Sequence, residues 1–382
     1  MPTSTAPIVA VQSNHADATT AVQELADQLR GYQPTFVLFF CSTHYDLVAV
    51  AAAFQSTFRH VRVAGCTSAG EIGPAGYHQG SLCAVAFMPE AGSVELAYIR
   101  DLSQFDLLHA QQLVDQLLTA QRQHHASRAQ RSFVLTLLDG LSAQEEMVLL
   151  ALDTALGSIA HFGGSAGDHL LQATHIYVDG AFLQGTAAVI MIQTALPFEV
   201  FSSHHMTPLH EKLVVTAASA DMRTVFELNA EPAAHAYAQA IGVAVEALNA
   251  KVFALHPLAV KIGHEFYVRS IQRVNSDHSL TFYCAVGQGA VLTTMQPDQM
   301  LPELAARFRH IEQRIGPPLL TLGCDCVLRR LESSERGELD QASAFFRQHH
   351  VVGFNTYGEH YRGVHLNQTF TGVVIAKAPV DV

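Results

Sequence analysis

The chain has 382 residues, of which 49% are hydrophobic and 15% charged, and its formal net charge is −12. This composition favours large buried sheets over disorder, and the length predicts two domains. The negative net charge argues against a nucleic-acid partner. No apolar run reaches the roughly 18 residues of a membrane-spanning helix, and the N-terminus lacks a secretory pattern, so we expect a cytoplasmic protein.

The first third of the chain alternates between predicted helices and strands. Helical spacing of apolar residues predicts helices over residues 16–29 and 47–58, and Asp17 suits the start of the first. The continuous apolar run Phe36–Phe40 predicts a strand that is buried on both faces. A second strand, residues 61–64, leads into a small, polar loop at Gly65–Gly73 that is bounded by glycines.

The same alternation continues to the middle of the chain. Predicted helices at residues 106–123 and 144–156 flank a buried strand at residues 133–138. A second glycine-rich loop, Phe162–Asp168, follows the latter helix. Strand–helix–strand alternation of this kind indicates sheets that are covered by helices.

The second half of the chain repeats this pattern without an obvious short-period repeat. We predict a helix that starts after Pro232, where the fixed φ of proline is tolerated, and helices at residues 298–315 and 337–349. The predicted fold class is α/β (mixed α+β), with two domains that each have a mixed β-sheet core covered by helices. The predicted domains are residues 30–225 and 226–378.

The most polar segment between two predicted strands is Gly353–Gly372, which carries four glycines together with Asn, Gln, Thr, Glu and His side chains. Such side chains must be satisfied by hydrogen bonds if they are buried. Two interpretations remain open. The segment either fastens the last hairpin to its domain, or it lines a pocket for a polar ligand.

Cysteines and histidines give weaker signals. The six cysteines are scattered, and the pair Cys324 and Cys326 is interpreted as structural because two ligands without a second pair are a weak zinc signal. The 22 histidines raise the possibility of a ligated cofactor. Ser165 lies in a formal Gly-x-Ser-x-Gly pattern, so a hydrolase with Ser165 or Cys66 as nucleophile is a further, less favoured hypothesis.

Four segments together resemble the FIST N-terminal and C-terminal domains. They are Val63–Ile72, Phe162–Asp168, Cys324–Arg330 and Gly353–Glu359, and Val364–Thr369 also agrees with the pattern. The resemblance implies a bacterial sensory protein that binds a small ligand. Because no output domain is recognisable, the chain is similar to the stand-alone NosP-type nitric-oxide sensors, which implies haem b as cofactor and a partner histidine kinase rather than an enzymatic activity of its own.

The resemblance leaves two kinds of ligand open. A non-covalent haem needs an axial imidazole, and the candidates are His204, His205, His360 and His365. The alternative is a haem-free sensor of a small polar molecule such as an amino acid. Its candidate contacts are Gly65, Thr67, Ser68, Asn355, Tyr357, Glu359, Asn367, Gln368 and Arg329. We expect the pocket at or near the junction of the two domains.

Overall fold

The structure is a computed structural model that describes residues 6–124 and 131–377. The helices within these residues are α1 Ala18–Gln28, α2 Leu47–Thr57, α3 Leu107–His124, α4 Glu145–Leu156, α5 Ala233–Ile241, α6 Ala250–Leu255, α7 Met300–Ile315, α8 Val327–Glu335 and α9 Leu339–Gln348. Several begin at a side-chain cap. Asp17, predicted to suit the dipole at the start of α1, is such a cap and accepts a hydrogen bond from the Thr20 N–H at 2.8 Å.

The strands divide into three groups along the chain. The first group is β1 Ile8–Ser13, β2 Phe36–Ser42, β3 Arg62–Ser68, β4 Glu71–Gly73, β5 Gly76–His78 and β6 Leu82–Phe87. The second is β7 Ser93–Ile99, β8 Arg131–Leu138, β9 Ala160–Ser165, β10 Ile176–Val178, β11 Ala181–Leu183 and β12 Ala187–Thr194.

The third group is interrupted by an additional sheet. It consists of β13 Phe198–Ser203, then β22 Pro318–Cys326, β23 Val351–Thr356, β24 Glu359–Tyr361, β25 Val364–Leu366 and β26 Phe370–Ala376. Between β13 and α7 lie β14 Met206–Ser219, β15 Thr224–Leu228, β16 Glu231–Pro232, β17 Leu258–Ile262, β18 Glu265–Arg269, β19 Ile271–Val274, β20 Leu280–Phe282 and β21 Val291–Pro297.

Three six-stranded sheets share one topology. Their strand orders are β1-β6-β2-β3-β10-β11, β7-β12-β8-β9-β24-β25 and β13-β26-β22-β23-β4-β5. In each sheet the two middle strands, such as β2 and β3 of the first sheet, are parallel to each other. Each of these middle strands is antiparallel to its other neighbour. These three groups of strands are therefore three copies of one supersecondary unit, which we call the first, second and third units. The repeat is too long to be recognised as a short-period repeat in the sequence.

Each unit gives its hairpin to the sheet of another unit. The β4–β5 hairpin of the first unit pairs with β23, and β10–β11 of the second pairs with β3. The β24–β25 hairpin of the third unit pairs with β9, which closes the exchange into a ring. β13 precedes residue 225 but pairs with β26 near the C-terminus, so hydrogen-bonded strands connect the two predicted sequence ranges.

The three sheets turn one face inward to a common core. Alternate residues of the equivalent strands meet there, namely Phe36, Leu38 and Phe40 of β2, Phe133, Leu135 and Leu137 of β8, and Leu320, Leu322 and Cys324 of β22. The outer faces pack against α1 and α2, α3 and α4, and α7 and α9. Two-sided burial explains the continuous apolar strands, and it confirms the mixed α/β class.

The remaining strands form an eight-stranded sheet with its own apolar core, which includes Leu213, Val225, Tyr237 and Phe253. We call residues 206–297 the insert, and the three six-stranded sheets with their helices the body. Among the described residues, no helix combines the length and the hydropathy needed to cross a membrane.

Candidate functional site

Two buried carboxylates occupy the same position in the first and third units. Glu71 and Glu359 each follow a hydroxyl residue by three positions, and Ser68 Oγ and Thr356 Oγ1 donate to their first carboxylate oxygens. The second oxygen of Glu359 accepts the backbone N–H and the hydroxyl of Thr369, at 3.1 and 2.8 Å. Glu71 accepts the same two groups from Ser81, at 3.0 and 2.9 Å.

These carboxylates fasten each exchanged hairpin to the strand that follows it. Burial raises the pKa of Glu359 to about 7 and also raises the pKa of Glu71, although the hydroxyl and N–H donors oppose the shift. Every partner of Glu359 comes from the third unit itself. The geometry therefore assigns Ser68 and Glu359, together with Thr356, a fastening role, while the predicted contact of Ser68 and Glu359 with a ligand stays a prediction.

The second unit has no carboxylate at this position. Where each hairpin pairs with the neighbouring sheet, Glu71 lies opposite Phe354, Glu359 opposite Gly164 and Ile176 opposite Cys66. Ile176 is therefore the residue of the second unit that is equivalent to the two glutamates. The preceding loop is instead organised by Asp168, whose side chain accepts the backbone N–H groups of residues 170–173.

Tyr357 joins that loop to the third unit. Its hydroxyl donates to the Asp168 carboxylate and also lies 2.8 Å from the Asp168 carbonyl oxygen. Burial alone would raise the pKa of Asp168, but the N–H of Ala173 and the Tyr357 hydroxyl stabilise the carboxylate and lower it. Tyr357, predicted to contact a ligand, therefore has a protein partner across the unit boundary.

The other predicted contacts of a polar ligand are also buried and also have protein partners. Gly65 allows close packing of adjacent strands, because a Cβ there would lie 2.5 Å from the Phe39 carbonyl oxygen. Thr67 Oγ1 accepts the His175 N–H at 3.0 Å. Asn355 Nδ2 donates to Asp325 at 3.1 Å.

Asn367 and Gln368 connect the body to the insert. Asn367 Oδ1 accepts the Ser270 N–H at 3.1 Å, and Gln368 Nε2 donates to the Ala254 carbonyl oxygen at 3.1 Å. Gln368 has a φ of 53°, a left-handed conformation that an ordinary side chain seldom adopts. The polar segment of residues 353–372, which we call the polar stretch, thus holds the insert against the body.

Arg329 and His205 belong to a buried ion-pair network. Arg329 Nε donates to Asp325 at 2.7 Å, and Arg329 Nη1 lies 3.0 Å from His205 Nδ1. His205 Nε2 lies 2.8 Å from Glu332. Both ring nitrogens of His205 are thus engaged by side chains, which leaves neither nitrogen free to ligate iron in this arrangement.

His360 is similarly engaged. Its Nδ1 lies 2.9 Å from Thr136 Oγ1 and its Nε2 lies 3.0 Å from Ser165 Oγ. Burial, followed by the charge of His365, lowers the pKa of His360 well below its ordinary value. Ser165 is itself fully buried, so the Ser165–His360 pair is closed to a substrate in this conformation.

His365 lies where the second unit, the third unit and the insert meet. Its Nδ1 is 3.3 Å from Glu146, which also accepts the Ala285 N–H at 2.7 Å and pairs with Arg223 at 2.7 Å. Burial opposes the charged form of His365, but its contacts with Cys284 and Glu146 outweigh burial and raise the pKa of His365 above its ordinary value. The pKa of Glu146 is held far below its ordinary range, because His365 and Arg223 outweigh burial.

His204 is the haem candidate that lines two neighbouring cavities, whereas His205 lines only the smaller of them. A cleft of about 700 Å³ lies between the insert and the body, and we call it the cleft below. Its walls are Ser202, Ser203, His204, Glu265, Phe266, Tyr267, Val268, Glu303, Ala306, Arg307, Tyr361, Arg362, Leu366 and Thr369. A neighbouring cavity of about 540 Å³ shares His204 and Glu303 with it.

Of the residues that line the cleft, the sequence predicted only His204 as a candidate site residue. The walls of the cleft come from β18, α7 and the β24–β25 hairpin, which are far apart in the chain, and neither Glu265 nor Arg307 lies in a recognisable motif. The one available signal was Tyr361-Arg362, which lies inside the polar stretch and forms the tip of the hairpin with Gly363.

Comparison with protein families gives two matches that cover most of the chain. The FIST N domain model matches residues 35–231, and the FIST C domain model matches residues 233–362. The curated proteins include no match to this chain.

Proposed function

Because the chain belongs to the FIST family, whose domains are associated with small-ligand sensing in signal transduction, we propose that it is a sensor whose ligand occupies the cleft. FIST domains are sensory rather than catalytic, which agrees with the burial of Ser165. The observation that carries the proposal is the position of the cleft between the insert and the body.

A ligand in the cleft would touch both parts of the molecule. The insert contributes β18 with Glu265 and Phe266, and the body contributes α7 and the β24–β25 hairpin. Binding would shift the population toward one placement of the insert, provided that the ligand has a higher affinity for that placement. A surface that responds to this placement would then regulate a partner histidine kinase.

The charges around the cleft favour a small zwitterion such as an amino acid. Glu265 and Glu303 supply negative charge, and Arg307 and Arg362 supply positive charge. Arg307 Nη2 lies 3.7 Å from Glu199, beyond hydrogen-bonding distance, so its guanidinium can turn to a ligand carboxylate. The volume of the cleft falls within the roughly 300–1,000 Å³ of ordinary ligand sites.

Haem b is the second candidate, and a specific observation favours it. Burial lowers the pKa of His204, which favours the neutral imidazole that ligates iron. Phe266 and Tyr361 line the same cleft and could contact a porphyrin, and Arg307 could pair with a propionate. When bound, haem supplies an iron position for a gas such as nitric oxide. Glu265 and Glu303 on the same walls are the feature that suits haem least.

One experiment separates the two ligands. Wild-type protein is screened by thermal shift against amino acids, and titrated separately with haemin in an absorption spectrometer. For an amino acid, we expect a saturable stabilisation that Arg307→Ala removes and that Arg273→Ala, an exposed arginine of the insert, preserves. For haem, we expect a sharp Soret band that moves with nitric oxide, is lost in His204→Ala and persists in His210→Ala.

The outcome that contradicts the cleft as the site is equally definite. Saturable binding of either ligand that survives both Arg307→Ala and His204→Ala would place the site elsewhere. If neither ligand binds, both ligand assignments are wrong, while the family membership of the chain is unaffected.

A further inference from the structure

We propose that Glu146, Cys284 and His365 form a binding site for a divalent transition-metal ion, best matched by Zn²⁺, outside the cleft and independent of its ligand. The three side chains offer a carboxylate oxygen, a thiol sulfur and an imidazole nitrogen, and these atoms all lie within 4.8 Å of one another. Among the described residues this is the one cluster of three or more His, Cys, Asp or Glu side chains with that geometry.

The ligands converge from three different parts of the fold. Glu146 lies in the first turn of α4 in the second unit, Cys284 follows β20 of the insert, and His365 lies in β25 of the third unit. Cys284 and His365 are buried, whereas the Glu146 side chain is 30% exposed, so an ion can enter from solvent on the Glu146 side.

Groups around the cluster already hold the ligand side chains in place. One oxygen of Glu146, Oε1, faces His365 Nδ1 at 3.3 Å and accepts the Ala285 N–H at 2.7 Å. The other oxygen, Oε2, accepts Arg223 Nη2 at 2.7 Å. Arg223 therefore leaves Oε1 available, and it orients the carboxylate as outer-shell partners of metal ligands do.

Gly358 fixes the position of the His365 ring. A Cβ at residue 358 would lie 1.8 Å from His365 Nε2, so only glycine leaves room for the ring at this place. With Nε2 against the backbone of Gly358, the ring presents Nδ1 to Glu146. The imidazole is thus oriented by packing toward the other two ligands.

Charge and proton balance are consistent with a dication. Without metal, the Cys284 thiol donates to Asn367 Oδ1 at 3.0 Å, and His365 Nδ1 lies 3.3 Å from Glu146 Oε1. Coordination would release the thiol proton of Cys284 and would use His365 as a neutral imidazole, so the Cys284 thiolate and the Glu146 carboxylate would neutralise the 2+ charge. Arg223 separately balances Glu145, which it contacts at 2.6 Å.

The donor set selects the metal. One thiolate, one imidazole and one carboxylate suit zinc, which takes sulfur, nitrogen and oxygen ligands in tetrahedral sites, better than magnesium or calcium, which prefer oxygen ligands. Three protein ligands leave a fourth position for water. Because the ligands come from the two units and the insert, the bound ion would cross-link all three.

The test uses full-length protein freed of metal by a chelator and titrated with Co²⁺, which reports on a zinc site through its absorption. We expect a thiolate-to-cobalt charge-transfer band in the near ultraviolet that saturates at one equivalent, and that one equivalent of Zn²⁺ abolishes. Surface binding by the many histidines cannot give this band, because it requires a sulfur ligand.

Variants then identify the ligands. Cys284→Ser is expected to remove the charge-transfer band, and Glu146→Gln to weaken Co²⁺ binding by about 10-fold or more. Cys83→Ser, a change at another buried thiol, is the matched control and should keep the band. Circular dichroism establishes that each variant is folded, and Glu146→Gln, at a partly exposed residue, still tests the site if Cys284→Ser does not fold.

Two results would overturn the proposal. The first is a wild-type protein that develops no saturable charge-transfer band. The second is a band that persists in folded Cys284→Ser, or that is unaffected by Glu146→Gln. Neither result bears on the cleft, because the ligands of the metal site do not line it.

Discussion

The third and second units fasten equivalent turns by opposite means. In the third unit, Glu359 is fully buried and receives hydrogen bonds from Thr356 and Thr369. In the second unit, Ile176 takes the equivalent place and packs in the central core. A hydrogen-bonded carboxylate and an aliphatic side chain thus support the same topology, but only the carboxylate makes the turn dependent on its donors and on pH.

The difference follows from where the neighbouring loop finds its support. The second unit has a longer segment before its hairpin, and Asp168 organises it through backbone N–H groups and Tyr357. The first and third units have a short connection, so one buried carboxylate joins the start of the hairpin to the next strand. Loss of Glu359 should therefore harm the fold far more than a comparable change in the second unit.

The largest effect is expected for Glu359→Ala. The change leaves the Thr369 N–H and two hydroxyl groups buried without an acceptor, and it opens a cavity. We expect the free energy of unfolding to fall by about 3–5 kcal/mol, measured by urea denaturation. Glu90→Ala, at an exposed residue, should change it by less than about 0.5 kcal/mol. A loss below about 1 kcal/mol for Glu359→Ala would contradict the fastening role.

The pH dependence of stability gives the next largest effect. Burial raises the pKa of Glu359 from 4.5 to about 7, so the folded state binds a proton more tightly than the unfolded state does. Stability from this group is therefore present below pH 4.5 and is lost as the pH rises to about 7. The loss across this window is up to about 3 kcal/mol, at about 1.4 kcal/mol per pH unit.

Glu359→Gln isolates that contribution, because glutamine resembles the protonated acid. Urea denaturation of wild type and Glu359→Gln across this pH range should show wild-type stability falling relative to the variant as the pH rises. Other groups titrate equally in both proteins and cancel in the difference. A constant difference would mean that the pKa of Glu359 is the same in the folded and unfolded states.

Tyr357→Phe tests the hydrogen bond between Tyr357 and Asp168, which supports the loop of the second unit in place of a buried glutamate. The variant removes one donor to Asp168, which keeps its backbone N–H donors, so no buried group loses its last partner. We expect a loss of about 1.5–3 kcal/mol, typical of a hydrogen bond to a charged group, by urea denaturation. Tyr361→Phe at the hairpin tip is the matched control and should be close to neutral, and equal losses in the two variants would contradict the assigned role of the Asp168 contact.

The sequence predicted these elements better than it predicted their partners. The apolar run Phe36–Phe40 and the helix after Pro232 were correct because burial and backbone preferences act locally. The exchange of hairpins was not predictable, because the short strands β4, β10 and β24 pair with residues that lie far away in the chain.

The same reason separates the polar stretch from the cleft. A dense run of polar residues is visible in one segment, but whether Asn367 binds a ligand or the insert depends on what packs against it. Glu265, Glu303 and Arg362 are far apart in the sequence and come together only in the folded structure, on the walls of the cleft. No local sequence pattern therefore predicts that they share a site. Local rules identify groups that need partners, whereas the tertiary structure decides which partners they have.

The smallest effect is expected for Thr186→Val in the second unit. Thr186 follows Ile176 by the same ten positions that separate Thr369 from Glu359. Its hydroxyl donates only to the Leu183 carbonyl oxygen, at 3.3 Å, so the loss should stay below about 1 kcal/mol. Thr369→Val removes a donor from a buried carboxylate and should cost about 1.5–3 kcal/mol, measured at pH 8 where Glu359 is ionised. Near-equal losses would mean that the carboxylate adds nothing to this turn, because the two threonines otherwise occupy matching places at the start of matching strands.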